Sequence, residues 1–269
     1  MLFHCPFRAP AILLALVPVL VLALATLSSA EDAMDPGPAF ALAIEKAHGS
    51  DSWYSHDAVA ADLVVHFGGN KMLEGRMITT PAVGKTRLEL LGGAVAVWDG
   101  ERAWVSPASV QMPPGVRFHV LTWPYFLAAP MKLRDPGAHL EPKGEQPWGG
   151  ETYDTALLTF DSGVGDSPDD WYLLYRDRDD HRLTAMAYIV TYGGNDGEAE
   201  PHAIVYEDFE TVGGSQVATH WTFYNWSEEQ GIHGDPIGEV RLSNLAMVSP
   251  EEGAFTRPSD AREGELPGG

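Results

Sequence analysis

Residues 158–193 carry the hydrophobic and polar pattern around which the rest of the chain is organised. Two runs rich in aromatic, branched and other apolar residues, Trp171–Tyr175 and Leu183–Tyr192, flank the charged stretch Arg176-Asp177-Arg178-Asp179-Asp180-His181-Arg182. This pattern predicts a β-hairpin with a solvated tip. Alternation places Trp171, Leu173 and Tyr175 on one face of the first strand and Tyr172 and Leu174 on the other. In the second strand Leu183, Ala185, Ala187 and Ile189 oppose Met186, Tyr188 and Val190. Both faces are apolar. An antiparallel sheet commonly leaves one face to water, so each side of this hairpin must be covered, one by helices and the other by a ligand or a second helix.

The flanking pattern is mostly β. Strand-like runs occupy Val59–Phe67, Met72–Thr80, Lys85–Leu91, Ala94–Trp98 and Glu101–Val105, with Asp99-Gly100 as a tight turn between the last two. They resume at Glu151–Phe160, His202–Val212, Gln216–Trp226 and Gly238–Val248, after a loop at Lys143–Gly150. Two segments break this rhythm. In Ala39–Ala47, Phe40, Ala43, Ile44 and Ala47 fall at helical spacing between Pro38 and Gly49, which predicts a short amphipathic helix. Arg117–Leu133 crowds Phe118, Leu121, Trp123, Tyr125, Phe126 and Met131 into a segment interrupted by Pro124 and Pro130, which predicts one or two helical turns with an aromatic surface. Residues 249–269 have the composition of a loose tail.

The first thirty residues stand apart. Arg8 precedes an almost wholly apolar run, Ala11–Leu27, and Ser28-Ser29-Ala30 supplies small residues for cleavage. This is the pattern of a secretory signal peptide ending at Ala30, followed by one domain over 31–248. The predicted location is therefore periplasmic or secreted. The only cysteine, Cys5, lies in the leader, so thiol catalysis is excluded from the mature chain. A formal charge of −21 argues against nucleic acid and anionic membrane surfaces as partners.

The early helix, the successive hairpins and the stretch Val95-Ala96-Val97-Trp98-Asp99-Gly100-Glu101-Arg102-Ala103-Trp104-Val105 resemble the periplasmic lipoprotein carriers of the LolA/LolB type. In those proteins a similar hairpin follows a stretch like Arg87-Leu88-Glu89. The segments TWPYFLAAPMKLRDPG and GDSPDDWYLLY are most similar to an uncharacterised secreted family with the same fold. The resemblance implies a mainly β protein: a curved antiparallel half-barrel with a short N-terminal helix and a helical insertion on the concave side. It also implies a concavity that accommodates acyl chains.

Catalytic signals are sparse. Asp161–Asp170 offers hard oxygens and glycines, but its spacing fits a capped turn better than a Ca²⁺ loop, and neither a metal nor a cofactor is expected. His202 and His220 fall on neighbouring strands, with Asp208 expected opposite His220, yet no nucleophile motif accompanies them. The aromatics remain. Trp123, Tyr125, Phe126, Trp171, Leu173, Tyr188, Trp221 and Phe223 form the expected ligand-binding set for a hydrophobic small molecule or lipid, without catalysis. An envelope protein is a further possible partner. The alternatives are a metal-dependent or His/Asp-using hydrolase on the same scaffold, and a structural or interaction module whose cavity its own helix fills.

Overall fold

The computed structural model describes residues 34–164, 170–189 and 200–264, together with Met1. The leader and its Ala30 cleavage point lie outside the described residues, as do 165–169 of the acidic loop. The helix α1, Pro36–Ala47, opens on Asp35, whose carboxylate accepts from the Gly37 amide at 3.3 Å. Phe40, Ala41 and Ile44 form its buried face. Gly49, at φ 72°, turns the chain into a second short helix, α2, Ser50–Tyr54, which the periodicity does not reveal. A Cβ on Gly49 would stand 2.5 Å from the Gly214 carbonyl oxygen. The residue must therefore be glycine for close approach as well as for dihedral angle.

Among the described residues, thirteen antiparallel strands form one open sheet. They are β1 Ala58–Phe67, β2 Asn70–Thr79, β3 Thr86–Leu90, β4 Val95–Trp98, β5 Ala103–Ser106, β6 Ala138–Trp148, β7 Glu151–Phe160, β8 Tyr172–Arg176, β9 Leu183–Tyr188, β10 His202–Val212, β11 Ser215–Ser227, β12 Gly231–Val248 and β13 Arg262–Glu263. Their order is β13-β5-β4-β3-β2-β1-β12-β11-β10-β9-β8-β7-β6. Two meanders, β1–β5 and β6–β12, are thus joined by the pairing of β1 with β12, from Ala58 opposite Val248 to Phe67 opposite Gly238.

This topology dictates where the helical insertion lies. Strand β5 and strand β6 follow each other in sequence but sit near opposite ends of the sheet, so residues 107–137 must cross one of its faces. The crossing contains α3, Val116–Ala128, and a 3-10 turn at Ala129–Met131. The expected one or two turns are in fact thirteen residues of helix with Pro124 inside. A proline there removes the amide that would bond the Val120 carbonyl. The helix persists because Val116, Val120, Trp123, Phe126 and Leu127 are buried on the sheet, and packing outweighs the lost rung.

Three other expectations change. Lys143–Gly150 is not wholly a loop: 143–148 belong to β6, paired along β7 with an irregularity between Pro142 and Gly144. Prolines obscure that strand in the sequence, and they are tolerated because β6 is an edge. Residues 249–264 are not a loose tail. Phe255 and Ala261 pack with Val97 and Trp104, the Arg257 guanidinium lies 4.5 Å from the Trp104 ring, and β13 pairs with β5. Finally, a bulge between Tyr175 and Arg176 shifts the register of β8 on β9. Leu183 therefore joins Met186 and Tyr188 on one face, leaving Ala185 and Ala187 on the other.

The candidate ligand-binding face

Both faces of the β8–β9 hairpin are buried, but by different means. The face that meets α3 belongs to the main core, which runs from Leu63 and Met77 through Leu174 and Met186 to Trp221 and Val240. The second face carries a smaller cluster of Tyr153, Leu173, Tyr175, Ala185, Ala187, Ala203, Val205 and Ile232. Its cover is the sheet's own rim. Trp148 on β6 meets Tyr224 on β11 at 6.1 Å although four strands lie between them in sheet order, and Trp171 meets Trp226 at 5.4 Å. The Trp226 indole donates to the Tyr175 hydroxyl at 2.9 Å.

The expected ligand-binding set therefore divides. Trp123, Phe126, Tyr188, Trp221 and Phe223 are buried together on the helix-bearing face, with Tyr125 half-buried beside them. Phe126 lies within 5.2–6.5 Å of the rings of Tyr188, Phe223 and Trp221. Trp171 and Leu173 are on the opposite face, in the rim-sealed cluster. Alternation along the strand separates Leu173 from Tyr172 and Leu174 as the sequence indicates, so all eight could not share one cavity.

Helix α3 is held by a defined set of polar contacts. The Trp123 indole donates to His119 Nδ1 at 3.0 Å, and the other His119 nitrogen lies 2.9 Å from the Pro113 carbonyl. With Nδ1 accepting, Nε2 carries the proton and donates to that carbonyl. Burial lowers the His119 pKa, which keeps this neutral form in place. The Tyr206 hydroxyl donates to the Phe126 carbonyl at 3.0 Å. At the far end of the crossing, Arg134 pairs with the buried Glu45 of α1 at 2.5–2.6 Å, which fastens the crossing to the first helix.

Away from the buried set, α3 shows Phe118, Leu121, Thr122 and Tyr125 at helical spacing, all half-buried. The sequence marks Phe118 and Leu121 as part of this apolar segment, but of the stripe only Tyr125 entered the expected ligand-binding set. The signal was available, because Arg117 is the only charged residue in the helix, and a helix apolar around its circumference expects cover on both sides. Next to this stripe the Tyr125 ring lies 5.3 Å from Tyr172, which in turn meets Phe160 at 6.0 Å and Tyr188 at 6.4 Å. Burial, aided by Asp135 and Asp170, pushes the Tyr125 phenol up. Burial likewise raises Tyr172, Tyr188 and Tyr206. These hydroxyls remain neutral donors and acceptors over the whole physiological range.

Two polar clusters among the described residues bear on the hydrolase alternative. His220 faces Glu207 across the β10–β11 ladder, with Asp208 one residue on at φ 52°. Its Nδ1 is 3.4 Å from Glu207 and 3.8 Å from Asp208, and its Nε2 is 3.5 Å from Glu239. The expected His–Asp contact exists, but the directly opposed partner is Glu207. The hydroxyl beside it, Thr222, donates to Glu207 at 2.8 Å. A cleft of about 160 Å³ brings together Ser55, His56, Asp57 and Ser249. There Ser249 donates to Asp57 at 2.6 Å while His56 sits 3.2 Å from the Gly213 carbonyl; this is not the serine–histidine order that activates a nucleophile. Among the described residues, no group of three or more His, Cys, Asp or Glu is placed to hold a metal ion, and no helix is long and apolar enough to cross a membrane.

No protein-family model matches the sequence, and no curated protein matches it. Solved structures do match in shape. A LolA superfamily protein from Nitrosomonas europaea superposes with a TM-score of 0.53 at 13% identity, covering 81% of this chain and 97% of that one. An outer membrane lipoprotein-sorting protein domain from Vibrio parahaemolyticus gives 0.49 at 10% identity, with 82% and 96% covered. A DUF1329 family protein from Desulfovibrio piger gives 0.45 at 13% identity, with 82% and 97% covered. The first of these matches shows the fold to be LolA-like, in agreement with the open, mainly β architecture.

Proposed function

We propose that this chain uses its LolA-like fold as a non-catalytic binder of a lipid or acyl chain, working in the periplasm or outside the cell after removal of a leader at Ala30. The observation that supports this reading is the apolar outer stripe of α3, Phe118–Leu121–Tyr125. The helix is required by topology to cross the sheet, and its sheet-facing side is already packed. An outer side without a charge beyond Arg117 serves an apolar partner better than it serves water. Covering such a stripe with an acyl chain contributes about 25 cal/mol per Å² of apolar surface removed from water, and needs no ionisable group.

The same geometry changes which residues to test. Trp123 and Phe126 are about 4% exposed, so aspartate at either position would unfold the core rather than report on binding. Leu121→Asp is the cleaner variant, because Leu121 is half-buried on the outer stripe. A neutral fluorescent probe, N-phenyl-1-naphthylamine, is expected to titrate saturably against the wild type, and Leu121→Asp to weaken it at least tenfold with an unchanged far-ultraviolet dichroism spectrum. Absence of saturable binding, together with no lipid in native mass spectra of detergent-free protein, would sink the carrier reading. One observation favours the interaction-module alternative: Trp123, Phe126, Trp221 and Phe223 already fill the space between α3 and the sheet. That alternative predicts no probe binding at all.

A further inference from the structure

We infer that the C-terminal segment 249–264 is a latch on the first half of α3, and that the helix parts at Pro124 when the latch is released. The segment ends where β5, α3 and the connection between them meet. Strand β13 pairs with β5 through Arg262 opposite Val105 and Glu263 opposite Trp104. Next to it the Gly264 amide donates to the Ala103 carbonyl at 2.7 Å. A Cβ on Gly264 would stand 3.0 Å from the Cβ of Val116, the first residue of the helix. Arg262 reaches past β5 into the connection, where its Nε donates to the Ala108 carbonyl at 2.9 Å and its Nη2 to the Val110 carbonyl at 2.7 Å. One planar fork thus grips two carbonyls of the turn that leads into α3, a geometry that an ammonium group cannot copy. The Ser106 hydroxyl, where β5 ends, donates to the Ser259 carbonyl at 2.8 Å.

The two halves of α3 are held differently. Beyond Pro124 the polar contacts run to the sheet and to the other helices. The Tyr206 hydroxyl donates to the Phe126 carbonyl at 3.0 Å, the Tyr54 hydroxyl donates to the Met131 carbonyl at 2.9 Å, and Arg134 pairs with Glu45. Before Pro124 the Trp123 indole and both His119 nitrogens bond within the crossing itself. Arg117 stacks over Trp98 at 4.5 Å, and Gly115 opens the helix without a side-chain cap. Pro124 supplies no amide to the Val120 carbonyl, so a rung between the halves is already missing, and a helix bends most readily at such a place. With the fork released, residues 116–123 rely chiefly on Arg117 and on the burial of Val116, Val120 and Trp123. A helical segment this short does not hold its hydrogen bonds in water once it leaves the sheet. It would then offer Val116, Val120 and Trp123 to an apolar ligand along with Phe118 and Leu121. That consequence rests on the carrier reading above, whereas the latch itself does not.

The experiment is amide hydrogen exchange, read by mass spectrometry, on the full chain and on Arg262→Ala, with Arg262→Lys as the variant that keeps the charge. In Arg262→Ala the amides of Val120–Trp123 are expected to exchange about tenfold faster, and those of Ala128–Leu133 to change by less than about twofold. Arg262→Lys is expected to fall between the two chains. Because more of the helix is then free to meet a ligand, Arg262→Ala should bind N-phenyl-1-naphthylamine about threefold more tightly than the wild type. Unchanged exchange at 120–123 in both variants would overturn the latch. Equal acceleration in the two halves would overturn the parting at Pro124. Faster exchange at 120–123 without tighter probe binding would remove the latch from ligand entry. A probe that binds neither chain would refute the carrier reading alone, since exchange decides the latch.

Discussion

The two clusters on either side of the β8–β9 hairpin have similar residue types and opposite means of closure. On one side Tyr172, Leu174, Met186 and Tyr188 are covered by a helix that topology forces across the sheet. On the other, Leu173, Tyr175, Ala185 and Ala187 are covered by rim aromatics of the same sheet. Apolar residues on both faces of a strand therefore do not imply a ligand on either. A curled sheet can seal its own second face. A separate helix is different in kind, because it can shift as a unit and it brings a second surface of its own. The outer stripe of α3, and not the β8–β9 hairpin, is therefore the surface that suits an apolar partner.

The largest expected difference between the clusters is in truncation cost. Trp221 is fully buried on the helix-bearing face, and its indole donates to the Ala218 carbonyl at 3.1 Å. Trp221→Ala should cost about 3–5 kcal/mol in denaturant unfolding. A loss under 1 kcal/mol would mean that the helix-bearing core is loosely packed and that the contrast drawn here is wrong.

Acid should separate the clusters next. His48 caps α1 beneath the main core, where one ring nitrogen is 2.9 Å from the Gln216 carbonyl and the other accepts the Leu183 amide at 3.0 Å. Burial, chiefly, holds its pKa down at about 4; the Gln216 carbonyl and Asp180 oppose this and Arg182 assists it. Between pH 6.5 and 4 the unfolded chain binds a proton that the folded chain refuses, so stability falls as the pH falls. The contribution is fully present above 6.5 and lost by about pH 4, amounting to about 3 kcal/mol. Urea midpoints measured across that window should drop for the wild type and drop less for His48→Gln, whose amide can keep a donor and an acceptor. Equal slopes would remove His48 from the account. The rim cluster has no histidine among its buried members and should not contribute.

The smallest effect concerns the rim itself. Trp226→Phe keeps a ring against Trp171 but deletes the donor to Tyr175, for a loss of about 1 kcal/mol. If the loss instead equalled that of Trp221→Ala, the second face would be a core of the same standing as the first.

Much of this fold is legible in the chain. Asp99-Gly100 announces the β4–β5 hairpin, and the structure shows why: one Asp99 oxygen accepts the amides of Glu101 and Arg102 at 2.8 Å, and the other the Trp104 indole at 2.7 Å. Period-two runs locate β1 to β3 and β7 to β11 within a few residues. Legibility fails where local preference is overruled by something distant. Pro142 and Pro147 mask β6, because an edge strand does not use every amide. Pro124 hides the length of α3, because burial on the sheet is not a local property. Polar residues 249–264 look unstructured, because the apolar surface they seal belongs to residues more than a hundred positions earlier. The site was half legible for the same reason. Composition marks the aromatics of 118–126, but only the crossing from β5 to β6 decides which of them face the sheet.

The pairing of β1 with β12 has a consequence for how the chain reaches this state. The two meanders can form from pairings between strands that follow each other in sequence. The seam between them joins Ala58 to Val248, so it waits until nearly all of the polypeptide has been delivered. Until then β1 and the strand partner it lacks leave an unpaired ladder in the middle of the future sheet, a template for wrong partners. Pairing at such sequence separation is slow. A chain that crosses a membrane unfolded would therefore spend its most vulnerable interval after export, holding two complete half-sheets and no seam.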